Sequence, residues 1–157
     1  MTYEITEAKG FKLQVTGEGA EYLKPYGRNL AFASFLRVWN KVKNNERIGL
    51  SVTMKNRIPM SRGLGSSSSA IVAGLYAANC LCDNYYTKEE LLDIATEIEG
   101  HPDNVAPALL GGFTISYMEE GKAHSLRLLP VKPLKFIAVV PDSKLPTFLA
   151  RQAIPES

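Results

Sequence analysis

Cysteine, histidine and tryptophan are scarce in this chain: two, two and one in 157 residues. So few cysteines exclude a disulfide-built scaffold. Cys80 and Cys82 stand one residue apart in an apolar stretch, where a helix would splay their side chains by about 200°, a poor geometry for pairing. With no histidine beside them and no second cysteine pair, they also fall short of a zinc site. They read as buried, reduced thiols, which suits a cytoplasmic protein. Long apolar runs are missing too. The best candidate, Ala70 to Cys82, is about 13 residues and too short to cross a bilayer. Met1-Thr2-Tyr3-Glu4-Ile5 lacks the basic start and apolar core of a signal peptide. Charge of one sign is lacking as well: 18 Lys and Arg stand against 16 Asp and Glu, with no basic run. The expectation is a soluble protein with no nucleic-acid or membrane partner.

What is present suffices for one packed domain, with 45% apolar and 22% charged residues. Phe11, Leu13 and Val15 alternate with polar neighbours before Thr16-Gly17-Glu18-Gly19, which predicts a strand and a turn. Asn29 is placed to cap a helix with Phe32 and Phe35 beside Leu36, Trp39 and Val42. Ile48, Leu50, Val52 and Met54 alternate over eight residues as a half-buried strand does, and Ile58-Pro59 stops it. From Ser67 onward Ile71, Leu75, Ala78 and Cys82 share one helical face. Thr87 to Glu90 has the spacing of a capping box and opens a helix through Leu91, Ile94, Ala95 and Ile98, closed by Gly100. Phe113–Tyr117 and Leu126–Leu128 predict a hairpin around Glu119-Glu120-Gly121. The apolar run Phe136–Val140 predicts a strand covered on both faces. The order of elements is α+β, a mostly antiparallel sheet with helices on one side.

Between the strand ending near Met54 and the helix from Ser67 lies Pro59-Met60-Ser61-Arg62-Gly63-Leu64-Gly65-Ser66-Ser67-Ser68-Ser69. Two glycines let a backbone approach a ligand closely. A helix starting there aims unpaired N–H groups and its positive end at one spot, which suits an anion. Four serines add hydroxyl donors, one of which could hold a metal ion. The loop is not a Walker A loop, having no Gly-Lys-Ser/Thr, nor a dinucleotide fingerprint, having no third glycine at the required spacing. A flexible turn with a serine cap is the plain structural alternative. Gly100-His101-Pro102-Asp103-Asn104 reads, taken alone, as a turn at a helix end. Glu97 has the position of a solvated carboxylate, well away from the Leu91–Ala95–Ile98 face.

Together these segments resemble the GHMP kinases, named for galactokinase, homoserine kinase, mevalonate kinase and phosphomevalonate kinase. Pro59–Ala70 looks like their nucleotide motif, and Glu97–Ala108 with Gly111-Gly112-Phe113 is similar to the homoserine kinase branch. The resemblance implies the GHMP N-terminal fold (ribosomal protein S5 domain 2-like). It implies transfer of the ATP γ-phosphate to the hydroxyl of L-homoserine for threonine biosynthesis, with ATP bound by Pro59 to Ser69, and Asn29 near the adenine; helix capping is the equal alternative for Asn29. Mg²⁺ would be held by Ser67 and Glu97, with Glu99 and Asp93 as alternatives for the carboxylate. His101 and Asn104 would meet the substrate, Asn104 orienting its hydroxyl. Asn104, Glu97 and Thr147 are thus the catalytic candidates. Thr147 and Arg151 match the spacing of a family motif after Pro141. They would reach the hydroxyl or γ-phosphate and the substrate carboxylate, although Pro146 replaces the usual serine; a surface charge is the plain reading of Arg151. A homodimer is compatible with the family.

The family's Pro-Ala-Thr-x-Ala-Asn-Leu-Gly-Pro-Gly-Phe-Asp segment has no counterpart before Tyr3, and its closing Gly-x-Gly-Pro-Ser/Thr loop has none by Ser157. The expected division is therefore 1–140, an ATP-binding domain incomplete at its start, and 141–157, a crossover toward a further domain. Part of a longer polypeptide, or a truncated product, is the reading. Another GHMP kinase with a different hydroxyl substrate, or a catalytically incomplete nucleotide-binding module, are the alternatives.

Overall fold

The computed structural model describes residues 1–23, 29–140 and 142. Its central strand is β3 (Leu50–Asn56), whose inward positions Leu50, Val52, Met54 and Asn56 are buried while the residues between them are not. It begins two residues later than the alternation from Ile48 predicts. On one flank lies β1 (Thr2–Glu7), antiparallel, with Tyr3 opposite Met54 and Ile5 opposite Val52. On the other lies β2 (Lys12–Gly17), parallel, with Leu13 opposite Val52 and Val15 opposite Met54. Parallel neighbours need a long crossover, and α1 (Ala20–Leu23) and α2 (Leu30–Val42) lie within it. Neither β1 nor α1 is among the elements the sequence predicts.

Asn29 caps α2, its Oδ1 accepting the Phe32 N–H at 3.1 Å. The stripe that α2 buries runs through Ala31, Ser34, Phe35, Val38 and Trp39, so Leu36 and Val42 are only partly covered. The next helix, α3 (Ser66–Leu81), lies close against it at Gly74. A Cβ there would meet the Ala31 carbonyl oxygen at 2.0 Å and the Phe35 nitrogen at 2.9 Å. Ile71, Leu75, Ala78 and Cys82 form the buried side of α3. Cys80 is exposed, correcting the expectation of two buried thiols: the spacing that keeps the pair apart turns Cys80 outward.

The helix α4 (Lys88–Glu99) begins with the expected capping box, Thr87 and Glu90 exchanging hydrogen bonds, and ends at Gly100 with φ +92°. Where a turn is expected, Pro102 starts another helix, α5 (Pro102–Leu110), with Pro at its first position. Proline lacks the N–H that a first turn would leave unpaired and has a helical φ already, so it opens α5 rather than breaking it. The hairpin of β4 (Phe113–Glu119) and β5 (Lys122–Leu128) forms a second sheet packed on α5 and α4. The core joins Leu50 and Val52 to Phe35, Val38, Ile71, Leu75, Leu91, Ala95 and Val105.

Residues 136–140 correct another expectation. They form no strand, and Phe136, Ile137 and Val139 are exposed, with Phe136 touching only the Phe113 ring among aromatic neighbours described. An apolar run becomes a buried strand only where a ladder and a covering layer exist, and the described residues supply neither. No described helix is long and apolar enough to cross a membrane.

Candidate active site

The loop between β3 and α3 is held at its base by Asn56, a buried residue no sequence pattern singled out. Its Oδ1 accepts the Ile58 N–H at 2.9 Å and its amide donates to the Glu18 carbonyl at 3.0 Å, joining the end of β3 to the turn after β2. Ser61, Gly63 and Gly65 then take φ of +57°, +68° and +69°. Gly65 is the N-cap of α3 and no side chain caps this end. A Cβ at Gly63 or Gly65 would meet nothing within 4 Å, so backbone conformation rather than space calls for glycine, and the ground before the helix is open. Gly65, Ser66 and Ser67, at the start of α3, line an open cavity, and a helix N-terminus so placed is an arrangement that attracts phosphate.

That cavity holds about 420 Å³. Pro59 to Ser67 line it, together with Glu99 and Asn104. Tyr22, Leu23, Leu30, Met54 and Met1 add an apolar part to its lining. Asn29 also lines it, but its side chain is engaged, capping α2 and donating to the Leu23 carbonyl at 3.3 Å. The capping alternative for Asn29 is thus seen directly. Arg62 turns its guanidinium to backbone, donating to the carbonyls of Met60 at 3.0 Å and Asp142 at 2.6 Å.

The structure separates the carboxylate candidates. Glu99 Oε1 accepts the Ser67 hydroxyl at 2.8 Å and the Ser68 hydroxyl at 3.0 Å, at the positive end of α3. Glu97, expected beside Ser67, instead pairs with Arg37 on α2 at 2.8 Å, both side chains more than 60% exposed. Asp93 accepts the Ala123 N–H in β5 at 2.8 Å, a structural bond. The reason is helical phase. Leu91, Leu92, Ala95 and Thr96 are the buried residues of α4, and Glu99 stands one turn beyond Ala95 and Thr96, where it meets α3; Glu97 is rotated about 200° from Ala95. Extending that stripe would have found Glu99.

His101 caps α5 by backbone only, its ring Nδ1 touching the Asp103 carboxylate, and it does not line the cavity. Asn104, in the first turn of α5, does. Of the serines, Ser66 and Ser67 line the cavity, Ser68 is buried, and Ser69 lines a separate groove with Tyr3 and Tyr76. Thr147 and Arg151 lie outside the described residues.

The site's residues fit Mg²⁺. A hard ion that keeps several waters asks for a hydroxyl and one or two carboxylates beside phosphates. Ser67 and Glu99 supply these, and no described residue donates to Glu99 Oε2.

Residues 29–112 match the family described as GHMP kinases N terminal domain. The chain is 43% identical over 147 residues to homoserine kinase of Carboxydothermus hydrogenoformans, covering 94% of this chain and 48% of that protein. It is 43% identical over 156 residues to homoserine kinase of Clostridium acetobutylicum, covering 99% and 51%. The crystal structure of homoserine kinase from Cytophaga hutchinsonii superimposes with a TM-score of 0.74 at 28% identity, over 99% of this chain and 50% of that one. The chain thus spans about half the length of the curated relatives it matches.

Proposed function

The chain belongs to the GHMP kinase family, and from that premise we propose that its site binds ATP with Mg²⁺ and passes the γ-phosphate to the hydroxyl of L-homoserine, giving O-phosphohomoserine. One observation carries the reading: a glycine-rich helix N-terminus, a hydroxyl–carboxylate pair and Asn104 line a single cavity. The apolar wall of Tyr22, Leu23, Leu30 and Met54 suits a purine, and the loop from Gly63 to Ser67 suits the phosphates. Ser67 and Glu99 would hold the metal. When bound, the ion would offset charge gathering on the transferred phosphoryl oxygens. Asn104 would orient the attacking hydroxyl, and α3's N–H groups would receive charge as the bond to ADP breaks. Among the described residues lining the cavity Glu99 is the only carboxylate, and it would be taken up by the metal, which favours catalysis by positioning. The names of its relatives support homoserine as acceptor. His101 would act through the start of α5. Thr147 and Arg151 are proposed for the hydroxyl or γ-phosphate and the substrate carboxylate, because an arginine fork matches two carboxylate oxygens. A cytoplasmic setting fits a use of ATP and an amino acid.

The test is ADP release by the full chain offered homoserine, mevalonate, galactose or buffer. Turnover confined to homoserine is the expected outcome. Turnover confined to mevalonate or galactose would reassign the acceptor, and none, with ADP still bound, would leave a nucleotide-binding module.

A further inference from the structure

We infer that the Ser68 hydroxyl is neither a phosphate nor a metal ligand but a positioning group, which holds the Glu99 carboxylate in place for the cavity. The inference rests on the nucleotide–magnesium reading above and refines it. Ser68 is 1% exposed and is not part of the cavity wall. Its hydroxyl instead donates to Glu99 Oε1 at 3.0 Å. Ser67, exposed on the cavity wall, donates to the same oxygen at 2.8 Å. Both hydroxyls therefore converge on Oε1, filling its two lone-pair directions, while Oε2 takes no bond from a described residue.

The two serines are chemically alike but differently placed. A hydroxyl that turns its oxygen to a cation can no longer be counted on to steady the carboxylate. Ser67 is the one with room to do so; Ser68, enclosed by the helix packing, keeps its bond. A glutamate side chain has three rotatable bonds and loses appreciable freedom when fixed, and Glu99 stands on the last turn of α4, next to Gly100. The Ser68 bond removes part of that freedom before any ligand arrives. Groups that orient a metal ligand without touching the metal are worth 10- to 100-fold, roughly, in affinity.

The experiment measures ADP binding by calorimetry across a MgCl₂ series, so no turnover is needed. Ser68→Ala is expected to raise the Mg²⁺ concentration for half-maximal effect about tenfold, with ADP affinity in EDTA unchanged within about twofold. In a Glu99→Gln background the same substitution is expected to add almost nothing, since the bond's purpose has gone. Ser68→Cys, which keeps the volume but is a weak donor, is measured alongside and decides the matter if the alanine variant melts early. Unchanged Mg²⁺ dependence in both variants overturns the role of Ser68. A parallel loss of ADP affinity in EDTA overturns it as well, because Ser68 would then touch phosphate. ADP binding by the unsubstituted chain that ignores Mg²⁺ would instead overturn the reading on which the inference rests.

Discussion

At Gly65 a single residue decides whether α3 can present its N-terminus. Its φ of +69° costs a residue with a Cβ roughly 1–2 kcal/mol, yet a methyl group there meets no neighbour. Gly65→Ala should therefore lower the melting temperature by several degrees and weaken ADP binding without closing the cavity; unaltered melting would show that the loop adopts another path. Glu99 and Glu97 offer a sharper contrast. Glu99→Gln should weaken magnesium-dependent ADP binding about tenfold or more. Glu97→Gln removes only an exposed pair with Arg37, worth less than about 1 kcal/mol, and should change that binding by less than about twofold; a reversed order, read by calorimetry, would return the metal to Glu97. The glycines of the loop and the helix start after them were readable from residue types alone because both are local. Which glutamate meets the serines was not, since it depends on which side of α4 faces α3, and that is a packing fact. Burial pushes the Cys82 thiol up from its usual value, with Asp83 adding to the shift and Lys43 opposing it. A proton held more tightly by the folded chain makes stability fall with rising pH, starting above about 8.5, the unfolded thiol's value, and continuing until the folded value is passed. Melting curves from pH 7 to 10 should slope downward, and less steeply for Cys82→Ala; equal slopes would remove Cys82 from the account.

Among the elements, α2 and α3 meet so closely that their contact is set by the absence of a side chain. At Gly74 an added Cβ would lie 2.0 Å from the Ala31 carbonyl oxygen, and backbone cannot step aside as a flexible side chain would. Gly74→Ala should cost about 3 kcal/mol and lower the melting temperature by roughly 6–12 °C, read by far-ultraviolet circular dichroism. Retained stability would mean that the helices separate at little cost. The capping of α2 and α4, the buried face of α3 and the hairpin were legible because each is written in a short window: Asn29 before Leu30, Thr87 before Glu90, Glu120-Gly121 between alternating runs. The elements missed or misread depend on distant partners. Thr2–Glu7 alternates Tyr3 and Ile5 on one side, yet only β3 makes it a strand. His101 to Asn104 has turn-forming residues, but the packing of Val105 and Ala106 in the core turns the segment into a helix. Phe136 to Val140 has strand composition and no ladder to join among the described residues.

On the scale of the whole molecule, apolar surface is distributed unevenly. The first sheet and the helices close around one core, whereas the hairpin shows an apolar face to solvent. Phe113 stands opposite Leu128, Ile115 opposite Leu126 and Tyr117 opposite His124, and the apolar members of these pairs are all exposed. The polar residues between them, Thr114, Ser116 and Ser125, point to the other face and are half-buried, Ser116 and Ser125 sharing a hydrogen bond of 3.1 Å. This inverts the usual alternation, in which the apolar face turns to the core. Side chains already in water contribute little to folding, so removing them should leave stability intact while changing how the surface behaves. The double substitution Ile115→Thr with Leu126→Thr should keep unfolding free energy within about 0.5 kcal/mol and preserve ADP affinity, since neither residue lines the cavity. It should also reduce the fluorescence of bound anilinonaphthalene sulfonate and raise the concentration at which the chain aggregates. A melting temperature lowered by many degrees would show that this face is packed in solution, and unchanged dye binding would place the sticky surface elsewhere.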